Sequence, residues 1–444
     1  MIFLGFFLIL HQIYEVMVNL PAEFLAETRR IMGDERFNRY LGAFDEEAPT
    51  SIRVNPIRLS RSENTLTAER VPWCEEGYYL ADRPQFTFDP LLHAGCYYVQ
   101  EASSMFITHI LRSIVNSQLS IVNCLDMCAA PGGKSTAMRS VLPEDCVLVS
   151  NEPMGNRAQI LLENITKWGA PNCIVTNNYP RDFKKAKLKF DVILCDVPCS
   201  GEGMFRKDPA TISEWSMQNV EKCWRLQREI VEDAWECLNP GGLFIYSTCT
   251  FNTKENEENI QWMLENLDAE VLNIPIDPSW NITGSLLPGF DAPVYRFIPG
   301  ITRGEGLFAC ALRKAGDTIS PPKLGGARGG LNKGLNKGMP KSFEKSLEKL
   351  NMLRPPLTPP TQEGNAEVDY SEALQYLRGE ALVLPPDTPK GIVEITYKGH
   401  PLGPAKNIGN RANNLYPKAW RIKSTHLPSE PPQIINVQSS MFNK

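Results

Sequence analysis

Between Gln118 and about Lys314, short apolar blocks alternate with longer stretches in which apolar residues recur at helical spacing. The blocks 121–126, 147–151, 173–176, 190–196, 243–247 and 307–312 predict strands. The stretches 134–141, 155–168, 216–238 and 254–266 predict helices. Trp215-Ser216 supplies a cap for the third helix, and Pro240-Gly241-Gly242 stops it and turns into the next strand. Strands alternating with helices predict a doubly wound, mostly parallel α/β sheet that binds ligands beyond the strands' carboxyl ends.

The flanks differ in pattern. Phe24, Leu25, Ile31, Met32, Phe37 and Leu41 predict a helix within 20–45, and Ser51 to Arg58 alternates like a strand carrying Arg53 and Arg58. Those arginines read as a solvated strand face or as contacts to an RNA backbone. Short β-like segments follow at 73–88 and 97–100, then a helix at 102–115, so residues 17–116 form a small α+β domain and residues 117–315 a second domain. Met1 to Leu10 is strongly apolar. It lacks a basic leader and a cleavage site and is too short to span a bilayer, so residues 1–16 read as an upstream extension before Met17, with a membrane anchor as the alternative. Residues 316–364 read as a flexible Pro/Gly linker containing a repeated Leu-Asn-Lys-Gly, residues 365–427 as a compact small domain, and residues 428–444 as a tail.

Composition is that of a globular protein with a net charge of −5, so a polyanionic partner would have to be held by local patches. Two such patches exist. Asp317 to Arg354 has eight basic residues against three acids, and Lys390 to Lys423 has seven against one. They read as solvated faces or as RNA-binding surface. The twelve cysteines contain no C-x-x-C pair and no paired His spacing occurs, which argues against zinc, so no metal is expected, and the apolar flanks of Cys173, Cys195 and Cys310 predict buried, reduced thiols in a cytoplasmic protein.

The candidate chemistry lies at strand ends. Asp126 to Ser135 contains Gly132-Gly133 between a strand and a helix, a turn that lets main chain approach a ligand closely. Glu152 closes the next strand, where an acid suits a ribose hydroxyl pair, so the two together point to a nucleoside site. The strand at 190–196 runs into Asp196-Val197-Pro198-Cys199, and the strand at 243–247 into Ser247-Thr248-Cys249. Neighbouring strands would place one carboxylate and two thiols at the reactive end of a nucleoside cofactor. That set suits methylation at carbon 5 of a pyrimidine. A thiolate added to carbon 6 makes carbon 5 nucleophilic, and a base must then remove the carbon 5 proton. An amine methyltransferase needs no thiol, and its usual Asp/Asn-Pro-Pro-aromatic run is absent.

Asp126 to Ser135, Asp196 to Pro209, Tyr246 to Thr250, Arg53-Val-Asn-Pro56, Tyr98 to Ser104 and Gly304-Glu-Gly306 resemble the motifs of the Nop/Sun-type RNA 5-methylcytosine methyltransferases, most of all their bacterial branch acting on 16S rRNA. Tyr397-Lys-Gly399 and Ala405 to Arg411 resemble that branch's PUA-like RNA-binding domain. The resemblance covers nearly all of the chain from Met17 to Lys423. It implies a Rossmann-like S-adenosylmethionine-dependent methyltransferase sheet with small N- and C-terminal domains. It further implies S-adenosyl-L-methionine at Cys128, Ala129, Ala130, Pro131, Gly132, Gly133, Lys134, Glu152 and Asp196. Cys249 becomes the nucleophile, Cys199 the thiol assisting release, and Asp196 serves both cofactor and base. The implied partner is RNA, 16S rRNA or the small ribosomal subunit, for a monomer with no membrane attachment. Two positions depart from the family: Asn178 or Tyr179 stands where many relatives carry an acid for the adenine side, and Gly300 stands where His is common. The competing readings are a tRNA substrate, a non-catalytic ribosome-assembly factor and a small-molecule methyltransferase.

Overall fold

The computed structural model describes residues 20–59, 66–115, 121–316, 341–355 and 363–435. The expected upstream extension at 1–16, the Leu-Asn-Lys-Gly repeat and residues 436–444 lie outside these. The described chain begins with helix Ala22–Gly42, which Gly33 breaks with a φ of 73°, and ends it in a single 3-10 turn, Ala43–Asp45, rather than continuing as helix to 45. Strands β1 (Ser51–Val54), β2 (Gly77–Tyr79) and β3 (Tyr97–Val99) form an antiparallel sheet in the order β2-β1-β3.

The centre of the molecule is a nine-stranded sheet. Strands β4 (Asn123–Asp126), β5 (Val147–Asn151), β6 (Cys173–Thr176), β7 (Phe190–Asp196) and β8 (Leu238–Thr248) run parallel. Strands β9 (Ala269–Val271), β10 (Tyr295–Phe297), β11 (Leu307–Lys314) and β12 (Met352–Leu353) add antiparallel margins. The order is β10-β11-β8-β7-β4-β5-β6-β12, with β9 beside β11. Alternate residues face opposite layers, which is why the strands read as unbroken apolar runs. Leu125, Val149, Ile193 and Phe244 pack with Phe183, Val231 and Trp235 on one face. Cys124, Leu148, Leu194 and Ile245 pack with Ile107, Leu111 and Met138 on the other.

The predicted cap holds: the Ser216 hydroxyl accepts from Asn219 N at the start of helix Met217–Glu236. Pro240-Gly241-Gly242 behaves differently from expectation. The helix has already ended, and the three residues bulge within β8, whose pairing with β7 jumps from Phe190↔Leu238 to Val192↔Leu243. Arg53 is neither solvated nor free for RNA. The strand ends at Val54, and Arg53 is fully buried between Gln100, Thr136 and Ser140. Cys195 and Cys310 are buried as expected, whereas Cys173 is only half covered. Part of the expected linker, residues 341–353, builds onto the central sheet instead. Helix Lys341–Leu347 and β12 close the β6 edge because Phe343, Leu347 and Leu350 bury themselves in the core, Phe343 edge-on to Phe190 at 5.5 Å.

The C-terminal part is a four-stranded sheet, β13 (Gly364–Glu367), β14 (Gly391–Tyr397), β15 (His400–Asn407) and β16 (Ala412–Asn414), in that order. Its helix, Tyr370–Arg378, starts in a capping box between Asp369 and Glu372. This part shares one core with the N-terminal sheet: Ile52, Val54, Leu91 and Tyr97 cluster with Leu374, Leu377, Leu402 and Tyr416. Among the described residues no helix is long and apolar enough to cross a membrane.

Candidate active site

The carboxyl ends of β4, β5, β7 and β8 open on one crevice, at the point where strand order reverses about β4. After β4 the chain turns at Gly132, whose φ of +115° favours glycine. A Cβ there would lie 3.3 Å from Leu161 Cδ1, so the turn packs closely on helix Gly155–Trp168. That helix also holds the turn's carbonyls: Arg157 Nη2 donates to Ala130 O (3.0 Å) and Asn164 Nδ2 to Pro131 O (2.7 Å). The Ala129 N–H is already spent on Asn151 O at 2.7 Å, which ties the turn to the end of β5.

Three carboxylates converge here. Asp126, buried at the end of β4, accepts from Ser135 Oγ at 2.6 Å, while its Oδ1 is buried without a partner. Burial pushes its pKa up to about 7. Glu152, 1% exposed after β5, accepts from Met154 N at 2.9 Å and lies 3.5 Å from Arg157 Nη1. Asp196 ends β7. Burial first, then Asp126, Asp196 and Glu152 together push the Cys128 thiol far up, which keeps Cys128 protonated. In the Thr176–Tyr179 segment, the Asn178 side chain is taken up by the main chain of Asn351, donating to its O (3.2 Å) and accepting from its N (3.1 Å). Tyr179 is exposed.

Asp196 is fixed from both sides. Lys134 Nζ donates to Oδ2 and Ser247 Oγ to Oδ1, each at 2.8 Å. Burial opposes the Lys134 charge, but Asp196, Cys249 and Asp126 outweigh it and raise the ammonium's pKa. Beyond Asp196 the two thiols meet, with Cys199 Sγ 3.3 Å from Cys249 Sγ. The bond to Cys249 and then burial push the Cys199 thiol far up.

The structure thus gathers Lys134, Asp196, Cys199 and Cys249, with Cys128 and Glu152 along the same crevice. The sequence pattern alone did not reveal Asp126 as a site carboxyl, Ser247 as the second anchor of Asp196, or Arg157 as a clamp on the turn. A polar residue closing an otherwise apolar strand was the available signal for the first two. Gly300 also gains a reason: at φ +77° its Cβ would lie 2.2 Å from Arg39 O, so helix Ala22–Gly42 occupies the space a side chain would need.

Three related sequence profiles match this chain. The one described as 16S rRNA methyltransferase RsmB/F matches residues 113–313, which hold the whole crevice. The N-terminal domain of 16S rRNA methyltransferase RsmF matches residues 20–102, and the methyltransferase RsmF PUA domain matches residues 364–422. The chain belongs to the 16S rRNA methyltransferase RsmB/F family. Ribosomal RNA small subunit methyltransferase F of Pectobacterium atrosepticum is 33% identical over 69% of this chain and 65% of its own length. The protein of that name from Escherichia fergusonii is 34% identical over 67% and 64%. The matched stretch therefore spans just under two thirds of these relatives. Among solved structures, a methyltransferase homolog from Pyrococcus horikoshii covers 68% of this chain and 99% of its own, at 28% identity and a TM-score of 0.57. NSun6 from the same organism, solved with SFG, shares the fold at 22% identity and a TM-score of 0.56, over 67% of this chain and 99% of its own.

Proposed function

We propose that this protein methylates carbon 5 of a cytosine in 16S rRNA, with S-adenosyl-L-methionine as the methyl donor. The reading is carried by the Cys199–Cys249 thiol pair, 3.3 Å apart beside the Lys134–Asp196 ion pair. The crevice suits the cofactor: a glycine turn allows close approach, Glu152 offers a carboxylate for a ribose, and Asp126 has an unused acceptor. When bound there, the cofactor supplies an electrophilic methyl group.

The protein's own residues account for the rest. Cys249 forms a sulfur–carbon bond at carbon 6 of the base, and the carbon 5–carbon 6 π electrons become available at carbon 5. Asp196, held by Lys134 and Ser247 at the end of β7, is the group assigned to share a proton with N3 as negative charge develops on the ring. Once carbon 5 carries the methyl group, its proton must leave. The resulting electron pair restores the double bond and expels Cys249 as thiolate. Cys199 is the acceptor for that proton. For this step Cys199 acts as a thiolate: its own proton passes to solvent once Cys249 is bonded to carbon 6, and uptake of the carbon 5 proton makes it a thiol again as Cys249 leaves.

Exposed Lys390, Lys406 and Arg411, around the β15–β16 turn, support phosphate binding by the C-terminal part. Twelve free cysteines support a reducing, cytoplasmic setting. Cys249→Ala is expected to abolish methyl transfer and keep cofactor binding, measured by calorimetry. Cys199→Ala is expected to accumulate an RNase-sensitive covalent band on a denaturing gel, absent from the double variant. Turnover by Cys249→Ala, or the band in both, would remove the assignment. Mapping 5-methylcytidine in rRNA and tRNA of a strain lacking the gene tests the substrate.

A further inference from the structure

The two loops that carry the thiols are tied to each other by carboxylates. Glu202 follows Cys199, and its Oε2 accepts the main-chain N–H groups of Phe251 (2.6 Å) and Asn252 (3.0 Å), just past Cys249. Glu255 follows Cys249, and its Oε2 accepts the main-chain N–H of Ser200 (3.0 Å), just past Cys199. Each loop thus lends a carboxylate to the other's backbone. Asn252 Nδ2 spans both, donating to Glu202 Oε1 (2.9 Å) and Glu255 Oε1 (2.8 Å). Gln227 Nε2 adds bonds to Glu255 Oε2 (2.7 Å) and Pro198 O (2.9 Å). Gly203 N donates to Cys249 O at 2.7 Å, and a Cβ on Gly203 would lie 2.5 Å from that oxygen, so only glycine lets the loops close this far.

Both carboxylates are essentially buried, at 2% and 0% exposed. Burying two acids side by side costs free energy that apolar packing between the loops would avoid. What carboxylates add is direction, because each fixes main-chain N–H groups at hydrogen-bonding distance. We infer that Glu202 and Glu255 are positioning residues, a reciprocal clasp that sets the approach of Cys199 to Cys249 and so the release of methylated base. The inference rests on the thiol roles proposed above.

Its first test needs no RNA. Phenylarsine oxide joins two thiols only when they lie close together, replacing two S–H bonds by two S–As bonds with loss of water. Capture of the Cys199–Cys249 pair, read by mass spectrometry of the peptides, is expected to slow roughly ten-fold or more in Glu255→Gln and in Glu202→Gln. In turnover with RNA, both variants are expected to accumulate the covalent band towards the level of Cys199→Ala, while the first methyl transfer stays within a few-fold of wild type. Wild-type capture and release in both variants would overturn the inference. Turnover by Cys249→Ala would instead remove the thiol roles while the capture rates still report on the clasp. Should Glu255→Gln not fold, Glu202→Gln, altered on the opposite loop, carries the test. Loss of folding in both, with Cys199→Ala folded, would reduce the clasp to a structural element and overturn the assignment.

Discussion

Arg53 illustrates how far a residue's surroundings can depart from its local pattern. It alternates with apolar neighbours on β1, yet its Nε donates to Gln100 Oε1 (2.8 Å), Nη1 to Ser140 Oγ (2.9 Å) and Nη2 to Thr136 Oγ1 (2.6 Å). Its guanidinium lies 4.5 Å from the Trp168 ring. Burial lowers its pKa to about 10, which leaves it charged at neutral pH. It joins the N-terminal sheet to the helix after the glycine turn. Arg53→Met is expected to destabilise the protein by on the order of 3 kcal/mol in urea unfolding, since several buried acceptors lose their donor. Unchanged stability with weakened RNA binding would return it to the surface. Asp196, Cys199 and Cys249 were legible because polar residues closing apolar strands stand out one by one. Ser247 and Asp126 carry the same signal, but what they do there depends on partners 51 and 9 residues away, which the pattern does not show.

Elements were legible where a long period repeats, as in Gly155–Trp168 and Met217–Glu236, and obscure where packing decides. β12 has two residues and follows a seven-residue helix. Only burial of Phe343 and Leu347 distinguishes it from linker. The short helix Pro90–His93 depends on tertiary contact in the same way. His93 Nε2 donates to Thr87 O (2.9 Å), and its Nδ1 lies 3.4 Å from both Lys167 Nζ and Tyr416 Oη, so it joins three parts of the chain. Burial, then Lys167, lower its pKa from the ordinary 6.5 to about 3. The unfolded chain therefore takes up a proton below about 6.5 that the folded chain refuses. This contribution is fully present above that pH and drains away towards pH 3, about 2 kcal/mol being lost by pH 5. Asp89, held up to about 6 by burial, runs the opposite way, so the measurement is the difference between wild type and His93→Asn. The variant is expected to show a flatter loss of stability between pH 7 and 5.

At the scale of the whole molecule, the alternation of strands and helices announced the central sheet. Nothing in that alternation announced that the two flanking parts share a core, because the apolar faces involved lie at opposite ends of the sequence. Recognition of RNA is accordingly better tested by charge than by truncation, which would uncover that core. Lys406→Glu and Arg411→Glu are expected to leave cofactor binding intact, weaken RNA binding, and reduce the log–log salt slope by about 0.7–0.9 for each phosphate no longer neutralised. Filter binding across a salt series measures it, and an unchanged slope would assign recognition to the crevice face.

The shared core also has a consequence for synthesis. The N-terminal residues through Tyr97 leave the ribosome about 270 residues before Ala366, where their partners begin. At typical elongation rates that is a wait of roughly 15 to 50 s. For that interval the nascent chain carries an uncovered apolar face, so a chaperone acting early in translation has more to protect here than in a protein whose domains close one at a time.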